Sequence, residues 1–187
     1  MDHAERAGLR FWQRDARCFQ GILLIRRGDV AQGVHLLRAT LDEFPATMSH
    51  TRYDAFLGEL GEALGRLGDV PGGLAAVDRG LDRIERTGGR WYVAELLRDK
   101  GELVLLQGMP GVAVAAEDHF RQALDWACRQ GALSWELRAA TSLARLRRDQ
   151  GRSADALALL QPVYDRFTEG FGTADLKAAK TLLDTLQ

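Results

Sequence analysis

A glycine recurs in this chain at a nearly constant interval. Gly28, Gly68, Gly108 and Gly151 are 40, 40 and 43 residues apart, and each follows a stretch with apolar residues at helical spacing. Glycine readily adopts the left-handed conformation that ends a helix. The interval therefore predicts pairs of helices joined by tight turns and repeated along the chain. Because one such pair cannot bury its apolar face alone, we expect the copies to stack into a solenoid.

The residues that follow these glycines are suited to start the second helix of each pair. Asp29, Asp69 and Ser153 carry short side-chain oxygens that can cap the free N–H groups at a helix start. Pro110 is expected in a first helical turn, where its missing N–H has no consequence. Pro162 falls inside the last of these second helices, where we expect a kink.

A second glycine series predicts the turns between one pair and the next. Gly8, Gly88 and Gly131 belong to it, and an aromatic residue follows each of them four positions later. The tryptophans of this register are expected to pack at the junctions between repeats. In this register residues 2–7 align with the ends of second helices, so we expect the chain to be a fragment of a longer multidomain protein.

The same register divides the chain into predicted units. They span residues 9–47, 48–88, 89–131 and 132–170, and a capping helix follows over 173–186. Thr173 can cap that helix, Phe167 and Phe171 are expected beneath it, and its apolar stripe consists of Leu176, Ala179, Leu183 and Leu186. The predicted fold class is all-α, an α-α superhelix of about four helix pairs plus a C-terminal capping helix in a single domain.

Composition agrees with this and excludes several classes of function. Hydrophobic residues make up 46% and charged residues 27%, as in globular proteins. The net charge of −1 provides no general attraction to nucleic acid or anionic lipid, and no apolar run is long enough to cross a membrane. Cys18 and Cys128 are expected to be two buried, reduced thiols of a cytoplasmic protein.

The sequence contains no recognisable catalytic, phosphate-binding or metal-binding motif. No glycine-rich phosphate loop occurs, and Ser134 and Ser142 have no base nearby in the sequence. Glu117, Asp118 and His119 are consecutive and cannot converge on one ion from a helix, so we interpret them as a solvated patch. We therefore predict no catalytic residue, no cofactor, no metal and no enzyme activity. The histidines that lack metal-ligand spacing are His3, His35, His50 and His119.

The repeat resembles the tetratricopeptide repeat (TPR). In the first unit the match runs through Gly21, Leu24, Gly28, Gly33, Leu37, Thr40 and Pro45. The units differ from that family in length, with about 40 residues instead of about 34, and HEAT-like helix pairs stay open as a structural alternative. The resemblance implies a concave groove lined by the first helix of each pair. Carried onto this sequence, that face holds Glu62, Arg66, Glu95, Arg98, Glu102, Arg138, Thr141, Arg145 and Arg148.

Three interpretations of this face are open. Its arginines could grip the carboxylates of a peptide or protein segment bidentately. Alternatively, Glu95–Arg98 and Arg98–Glu102 are ordinary surface pairs, although Arg138, Arg145 and Arg148 have fewer acids near them. In the third interpretation the arginines, with Arg147 and Arg152, meet nucleic-acid phosphates, which the balanced charge disfavours, so we expect no direct nucleic-acid partner and no membrane.

Longer stretches resemble the C-terminal repeat arm of large bacterial signalling ATPases. They span residues 90–96, 100–103, 120–124, 135–146 and 168–171. The resemblance implies a non-catalytic sensor or interaction arm that binds a protein segment or the upstream domains of the same polypeptide. The alternatives are the regulatory C-terminal region of a nucleotide cyclase or ATPase-type transcriptional regulator, or a free-standing adaptor. An uncapped N-terminal repeat end could also pair two copies as a homodimer.

Overall fold

The computed structural model describes residues 3–44 and 52–186, with the backbone alone for 3–8. Within these ranges all regular structure is helical. A short 3-10 turn at Arg90–Tyr92 precedes the fifth helix. The α-helices are α1 (His3–Arg27), α2 (Val30–Asp42), α3 (Tyr53–Arg66), α4 (Val70–Thr87), α5 (Val93–Leu106), α6 (Val112–Gln130), α7 (Leu133–Asp149), α8 (Ser153–Tyr164) and α9 (Ala174–Leu186).

The helices belong to two compact units, Met1–Thr87 and Gly88–Gln187. In the first unit α1 packs on α2 and α3 packs on α4, and α2 also contacts α3. In the second unit α5 pairs with α6 and α7 with α8, while α6 and α5 both contact α7. The last helix, α9, packs on α7 and α8. Each unit is therefore built from helix pairs in chain order.

The four periodic glycines end the first helix of each pair, as predicted. Gly28, Gly68, Gly108 and Gly151 have φ of 103°, 85°, 65° and 76°, in the left-handed region. Three of the turns also close with a bond from the residue after the glycine. The N–H of Asp29 donates to Leu24 O at 3.0 Å, and equivalent bonds follow Gly68 and Gly151. This is the Schellman arrangement, which satisfies a carbonyl of the last helical turn.

Four residues were predicted to begin the second helix of a pair, and the prediction is confirmed for one of them. Asp69 Oδ1 accepts a hydrogen bond from the N–H of Gly72 at 3.0 Å. Asp29 forms no side-chain cap, and Ser153 is already the first residue of α8. Pro110 lies two residues before α6, because Gly111 takes a left-handed φ of 86° at the helix start. Pro162 lies inside α8, as expected.

The predicted turn at Gly8 is wrong. The helix α1 runs through Gly8 without a break, whereas Gly88 and Gly131 do turn, with φ of 73° and 63°. A glycine inside a helix costs only about 1 kcal/mol relative to alanine, so it does not by itself end one. Pro45 and His50 of the sequence predictions lie outside the described residues.

Small residues let the paired helices approach closely. A Cβ added to Gly33 of α2 would lie 2.6 Å from the carbonyl oxygen of Gly21 in α1. In the second unit, a Cβ on Gly101 of α5 would lie 2.5 Å from the ring of Phe120 in α6. Glycine at one position thus makes room for backbone or for a large ring at the facing one, so the two helices of a pair lie in close contact.

The C-terminal helix covers the second unit largely as predicted. Its stripe of Leu176, Ala179, Leu183 and Leu186 is buried, and Phe167 packs partly buried against the same core. The prediction that Phe171 packs beneath this helix is wrong, since about half of the residue is exposed. Its ring contacts Tyr164. The covering of α7 and α8 by α9 therefore depends on its leucines and not on Phe171.

Two further packing predictions are confirmed only in part. The rings of Tyr92 and Trp135 meet edge to face at 5.7 Å, as expected of junction residues, but Trp12 is exposed. The Cys18 thiol is buried, whereas Cys128 is exposed and not buried as predicted, although neither forms a disulfide. Burial raises the pKa of Cys18 to about 12, and Asp15 contributes in the same direction.

Candidate functional site

Within the second unit, α5 and α7 lie side by side in the same direction and face each other with polar residues. Glu95 and Glu102 of α5 contact Arg138 and Arg145 of α7, respectively. Both pairs are 43 residues apart, the same offset that separates Gly108 from Gly151. We call this surface the α5–α7 face. It contains Glu95, Arg98, Glu102, Arg138, Thr141, Arg145 and Arg148, seven of the nine predicted groove residues.

At one end of the face the charges are buried. Glu95 is 1% exposed and Arg98 8% exposed. Arg98 Nε lies 3.4 Å from Glu95 Oε1, and its Nη2 donates to Asp99, also buried. The expectation of ordinary surface pairs on α5 is therefore wrong for Glu95 and Arg98. Buried ion pairs of this kind hold a defined geometry, because a charge without its partner there is costly.

Arg138 approaches the same buried carboxylate from α7. Its Nη1 lies 2.7 Å from Glu95 Oε2, close enough for a strong ion pair. The angles at that oxygen do not meet those of a hydrogen bond, so the contact is chiefly electrostatic. About one third of the Arg138 side chain is exposed. The guanidinium thus has its inner edge on Glu95 while part of it reaches the surface.

At the other end the charges are more accessible. Glu102 Oε1 accepts hydrogen bonds from Ser142 Oγ at 2.6 Å and from Arg145 Nη1 at 3.3 Å. Arg148 Nε donates to Asp149 at 2.9 Å. The expectation that the α7 arginines have fewer acids near them on this face is therefore wrong for Arg138 and Arg145, which each contact a carboxylate of α5. Arg148 contacts only its neighbour on α7, Asp149, among the ion pairs of the described residues.

The face nevertheless retains donors for a partner. A guanidinium carries five N–H donors in a planar fork. Arg145 is about half exposed and uses one nitrogen on Glu102, so other donors point away from that contact. Thr141 is different, because its hydroxyl is buried and donates to Leu137 O of the same helix. The arrangement can therefore recognise carboxylates or carbonyls through arginines that intrachain acids hold in place.

The two remaining predicted residues belong to the first unit. Glu62 and Arg66 both lie on α3 and are exposed. The first unit also has buried carboxylates that sequence reasoning missed. Asp54 Oδ1 and Oδ2 each lie 2.9 Å from Arg83 Nη1, and Asp15 is bound by Arg52. The first pair joins α3 to α4, and the second joins α1 to the residue that precedes α3.

A second charge cluster in the second unit was also missed. Glu117 of α6 is 9% exposed and lies 2.6 Å from Arg121, 3.6 Å from Arg147 and 3.3 Å from Arg152. The interpretation of residues 117–119 as a solvated patch is therefore wrong for Glu117. Arg147, one of the arginines of the nucleic-acid interpretation, faces this carboxylate with only 16% of its side chain exposed, so it has little access to a phosphate. The spacing of Glu117 and Arg121 was the only sequence signal for the cluster.

Other kinds of site are not seen in the part of the chain that the structure describes. No helix there is long and apolar enough to cross a membrane. Among the same residues, no three His, Cys, Asp or Glu side chains are grouped so that they could hold a metal ion.

The fold is similar to solved structures of TPR-like repeats. A crystal structure of the nearly identical TPR-like repeats of a putative kinesin light chain from Podosopora anserina superposes with a TM-score of 0.62 at 18% identity. The match covers 100% of this chain and 87% of that one. A second crystal structure, of a variant of the same repeats, has a TM-score of 0.63 at 18% identity, with the same coverage.

A third similar structure is BtubC (BKLC) from P. vanneervenii. It has a TM-score of 0.59 at 15% identity and covers 89% of this chain and 75% of that one. No protein-family model matches the chain, and no curated protein matches it in sequence. At these identities the likeness concerns the fold alone. The fold class is confirmed: the chain has an all-α, TPR-like repeat fold.

Proposed function

We propose that this chain is a non-catalytic protein-interaction scaffold that binds an acidic segment of a protein on its α5–α7 face. TPR-like repeats generally serve as scaffolds for protein–protein contacts, which supports the general class. The specific proposal rests on Arg145 of α7. Its side chain is about half exposed, and an ion pair with Glu102 of α5 holds it in place. An arginine that is already oriented loses less freedom on binding than one that is not.

The partner's chemistry follows from the donors on this face. Arg138, Arg145 and Arg148 follow one another along α7 at spacings of seven and three residues, so they form one row. Their guanidinium groups match the geometry of carboxylates. Since each already contacts one acid of the chain, the partner's carboxylates use the remaining donors. The expected complex is moderate in affinity and weakens as salt is added.

A binding titration tests this proposal. The probe is a fluorescent peptide of alternating glutamate and glycine, about twelve residues long, and its lysine counterpart is the control. We expect saturable binding of the acidic peptide only, and we expect Arg145→Glu to abolish it. Helicity should stay unchanged, and the loss of the pair with Glu102 should lower Tm by no more than about 4 °C. Arg129→Glu is the matched control variant, because Arg129 is also exposed and also contacts an acid, Asp125, but lies on α6. Unaltered binding to Arg145→Glu, or equal loss in both variants, contradicts the proposal.

For the biological setting, we propose a sensor or interaction arm of a cytoplasmic bacterial signalling protein. The support is the resemblance of the unit-three and unit-four stretches to repeat arms of signalling ATPases. In that setting the partner is a neighbouring domain of the same polypeptide, such as a nucleotide cyclase or ATPase-type transcriptional regulator. A free-standing adaptor with a separate protein partner is the alternative, and a homodimer through the N-terminal end stays a prediction.

The gene distinguishes the two settings. An open reading frame that continues upstream of the Met1 codon into a Gly-Lys-Ser/Thr phosphate loop supports the sensor arm. A stop codon and ribosome-binding site directly before Met1 contradict it and favour the adaptor. Neither result bears on the peptide titration, so the proposed setting and the proposed binding face can be contradicted independently of each other.

A further inference from the structure

The first unit contains a hollow beside α1 that three arginines line. Its volume is about 510 Å³, within the range of small-ligand sites. Arg10, Arg14 and Arg17 follow one another at spacings of four and three residues, so they leave α1 on one side. We call this cavity the arginine hollow. The residues that line it are Arg10, Gln13, Arg14, Ala16 and Arg17 of α1 and Glu43, which directly follows α2.

The segment at the end of α2 holds two of these arginines in place. Arg17 Nη1 donates to Glu43 Oε1 at 2.7 Å and to Glu43 Oε2 at 2.9 Å. Arg14 Cζ lies 5.7 Å from the centre of the buried Phe44 ring, which is a cation–π contact. Because intrachain contacts already hold both guanidinium groups beside the hollow, less conformational freedom is lost when a ligand binds.

Most hydrogen-bond donors of the hollow are unused. Within the part of the chain that the structure describes, Arg10 and Arg14 form no hydrogen bond or ion pair. Arg17 uses one nitrogen on Glu43, and 41% of its side chain is exposed. Because each guanidinium carries five N–H donors, the three arginines can bind several oxygens of one ligand. On the α5–α7 face, by contrast, every arginine already contacts a carboxylate.

The charge of the hollow favours a doubly charged anion. Three arginines and one glutamate line it, which leaves a net charge of +2. A phosphate monoester carries a charge of about −1.5 to −2 at pH 7 and three strong acceptor oxygens. A carboxylate has a single charge and two oxygens, so it matches the hollow less well. Arginine clusters are a recurrent means of binding phosphorylated segments.

The size and accessibility of the hollow indicate what carries the phosphate. Arg10 and Gln13 are exposed, so a ligand reaches the hollow from solvent. At about 30 Å³ per heavy atom, the share of a water molecule in the liquid, the five heavy atoms of a phosphate fill less than a third of the volume. The rest has room for the side chain that carries it. We propose that the arginine hollow binds a phosphorylated serine or threonine of a partner protein. This site lies in the first unit and is independent of the α5–α7 face.

A phosphopeptide titration with the whole chain tests the proposal. The probe is a fluorescent peptide of glycine and asparagine, about nine residues long, with one central phosphoserine. We expect saturable binding in fluorescence anisotropy, and at least about tenfold weaker binding when serine or glutamate replaces the phosphoserine. Inorganic phosphate should compete, but with an affinity at least about tenfold below that of the phosphopeptide, because it lacks the peptide's other contacts.

Variants of α1 locate the binding. Arg10→Gln and Arg14→Gln should each weaken it at least about tenfold. The matched control is Arg27→Gln, because Arg27 is an exposed arginine of α1 that does not line the hollow, and the Kd should stay within about twofold. Arg145→Glu should leave the Kd within about twofold as well, and Arg10→Gln should not change binding of the glutamate–glycine peptide. Circular dichroism checks that all variants keep their helicity.

Several results would overturn the proposal. These are absence of binding, equal binding of the unphosphorylated peptide, or an equal loss in Arg27→Gln or Arg145→Glu. Inorganic phosphate that binds as tightly as the phosphopeptide would also overturn it, because the hollow would then be a site for a free anion and not for a partner protein.

Discussion

Arg138 Nη1 of α7 lies 2.7 Å from Glu95 Oε2 of α5, an oxygen that is buried and accepts no well-aligned hydrogen bond. Seven residues later on both helices, Arg145 contacts Glu102, a carboxylate that is about one third exposed. The two pairs have the same register and different surroundings. They are therefore expected to differ in what they contribute to stability and to binding.

Removing Arg138 should destabilise the second unit more than removing Arg145. Arg138→Met leaves Glu95 with Arg98 as its remaining partner, and we expect a loss of about 1–3 kcal/mol in the free energy of unfolding. Arg145→Met disrupts a partly exposed pair and should cost less than about 1 kcal/mol. Urea denaturation followed by circular dichroism measures both. Equal losses would show that the burial of Glu95 has no energetic consequence.

Glu117 is expected to stabilise the contact of α6 with α7 and with the turn before α8. Glu117→Gln removes the carboxylate that Arg147 and Arg152 share, and Arg147 is largely buried. We expect a loss of about 2–4 kcal/mol in urea denaturation, because a buried cation loses its partner. The control is Asp125→Asn, which breaks an exposed pair with Arg129 on the same helix and should change stability by less than about 0.5 kcal/mol. A small effect of Glu117→Gln would contradict the role of this cluster.

Gly101 is expected to tolerate no side chain. A Cβ there would lie 2.5 Å from the ring of Phe120, so Gly101→Ala should cost about 1–3 kcal/mol through overpacking. Gly172→Ala provides the comparison, since no atom lies within 4 Å of its added Cβ. In a double-mutant cycle, Phe120→Leu should reduce the penalty of Gly101→Ala. Additive losses would show that the two positions do not compete for the same space.

The two thiols should differ sharply in reactivity. The pKa of Cys18 is raised to about 12, first by burial and then by Asp15, so at pH 8 only roughly one in ten thousand of these thiols is ionised. Cys128 is exposed. Partial burial of its thiol, and then the nearby carboxylate of Glu136, raise its pKa as well. An aromatic disulfide reagent at pH 8 should label Cys128 first and Cys18 only after urea is added. Rapid labelling of both in the native protein would contradict the packing of α1.

The turn glycines show what a single sequence can predict. A helix that ends in the left-handed region needs glycine, so the interval from Gly28 to Gly151 located the four turns within the helix pairs. Gly8 belongs to a similar series but lies inside α1, because glycine is also tolerated within a helix. The predicted division into units 9–47, 48–88, 89–131 and 132–170 stays a prediction.

The sequence predicts which helix face carries the residues of the candidate site, but it does not predict which of them form ion pairs. Helical spacing is sufficient to place Glu95, Arg98 and Glu102 on one side of α5, and the repeat offset aligns them with α7. Which arginine reaches which acid depends on how α5 and α7 pack, and this does not follow from local spacing. Glu117 illustrates the limit, because its spacing to Arg121 is equally typical of a solvated surface pair. Its burial depends on how α6 packs on α5 and α7, which the spacing does not show.

An amide NMR titration with the glutamate–glycine peptide tests the binding role of the α5–α7 face most directly. If the account is correct, the shifts that change with saturation cluster at residues 95–102 of α5 and 138–148 of α7. Those of α6 and of the first unit should change little, and Arg145→Glu should remove the response. Changes centred on other helices, or a response that persists in Arg145→Glu, would contradict the account.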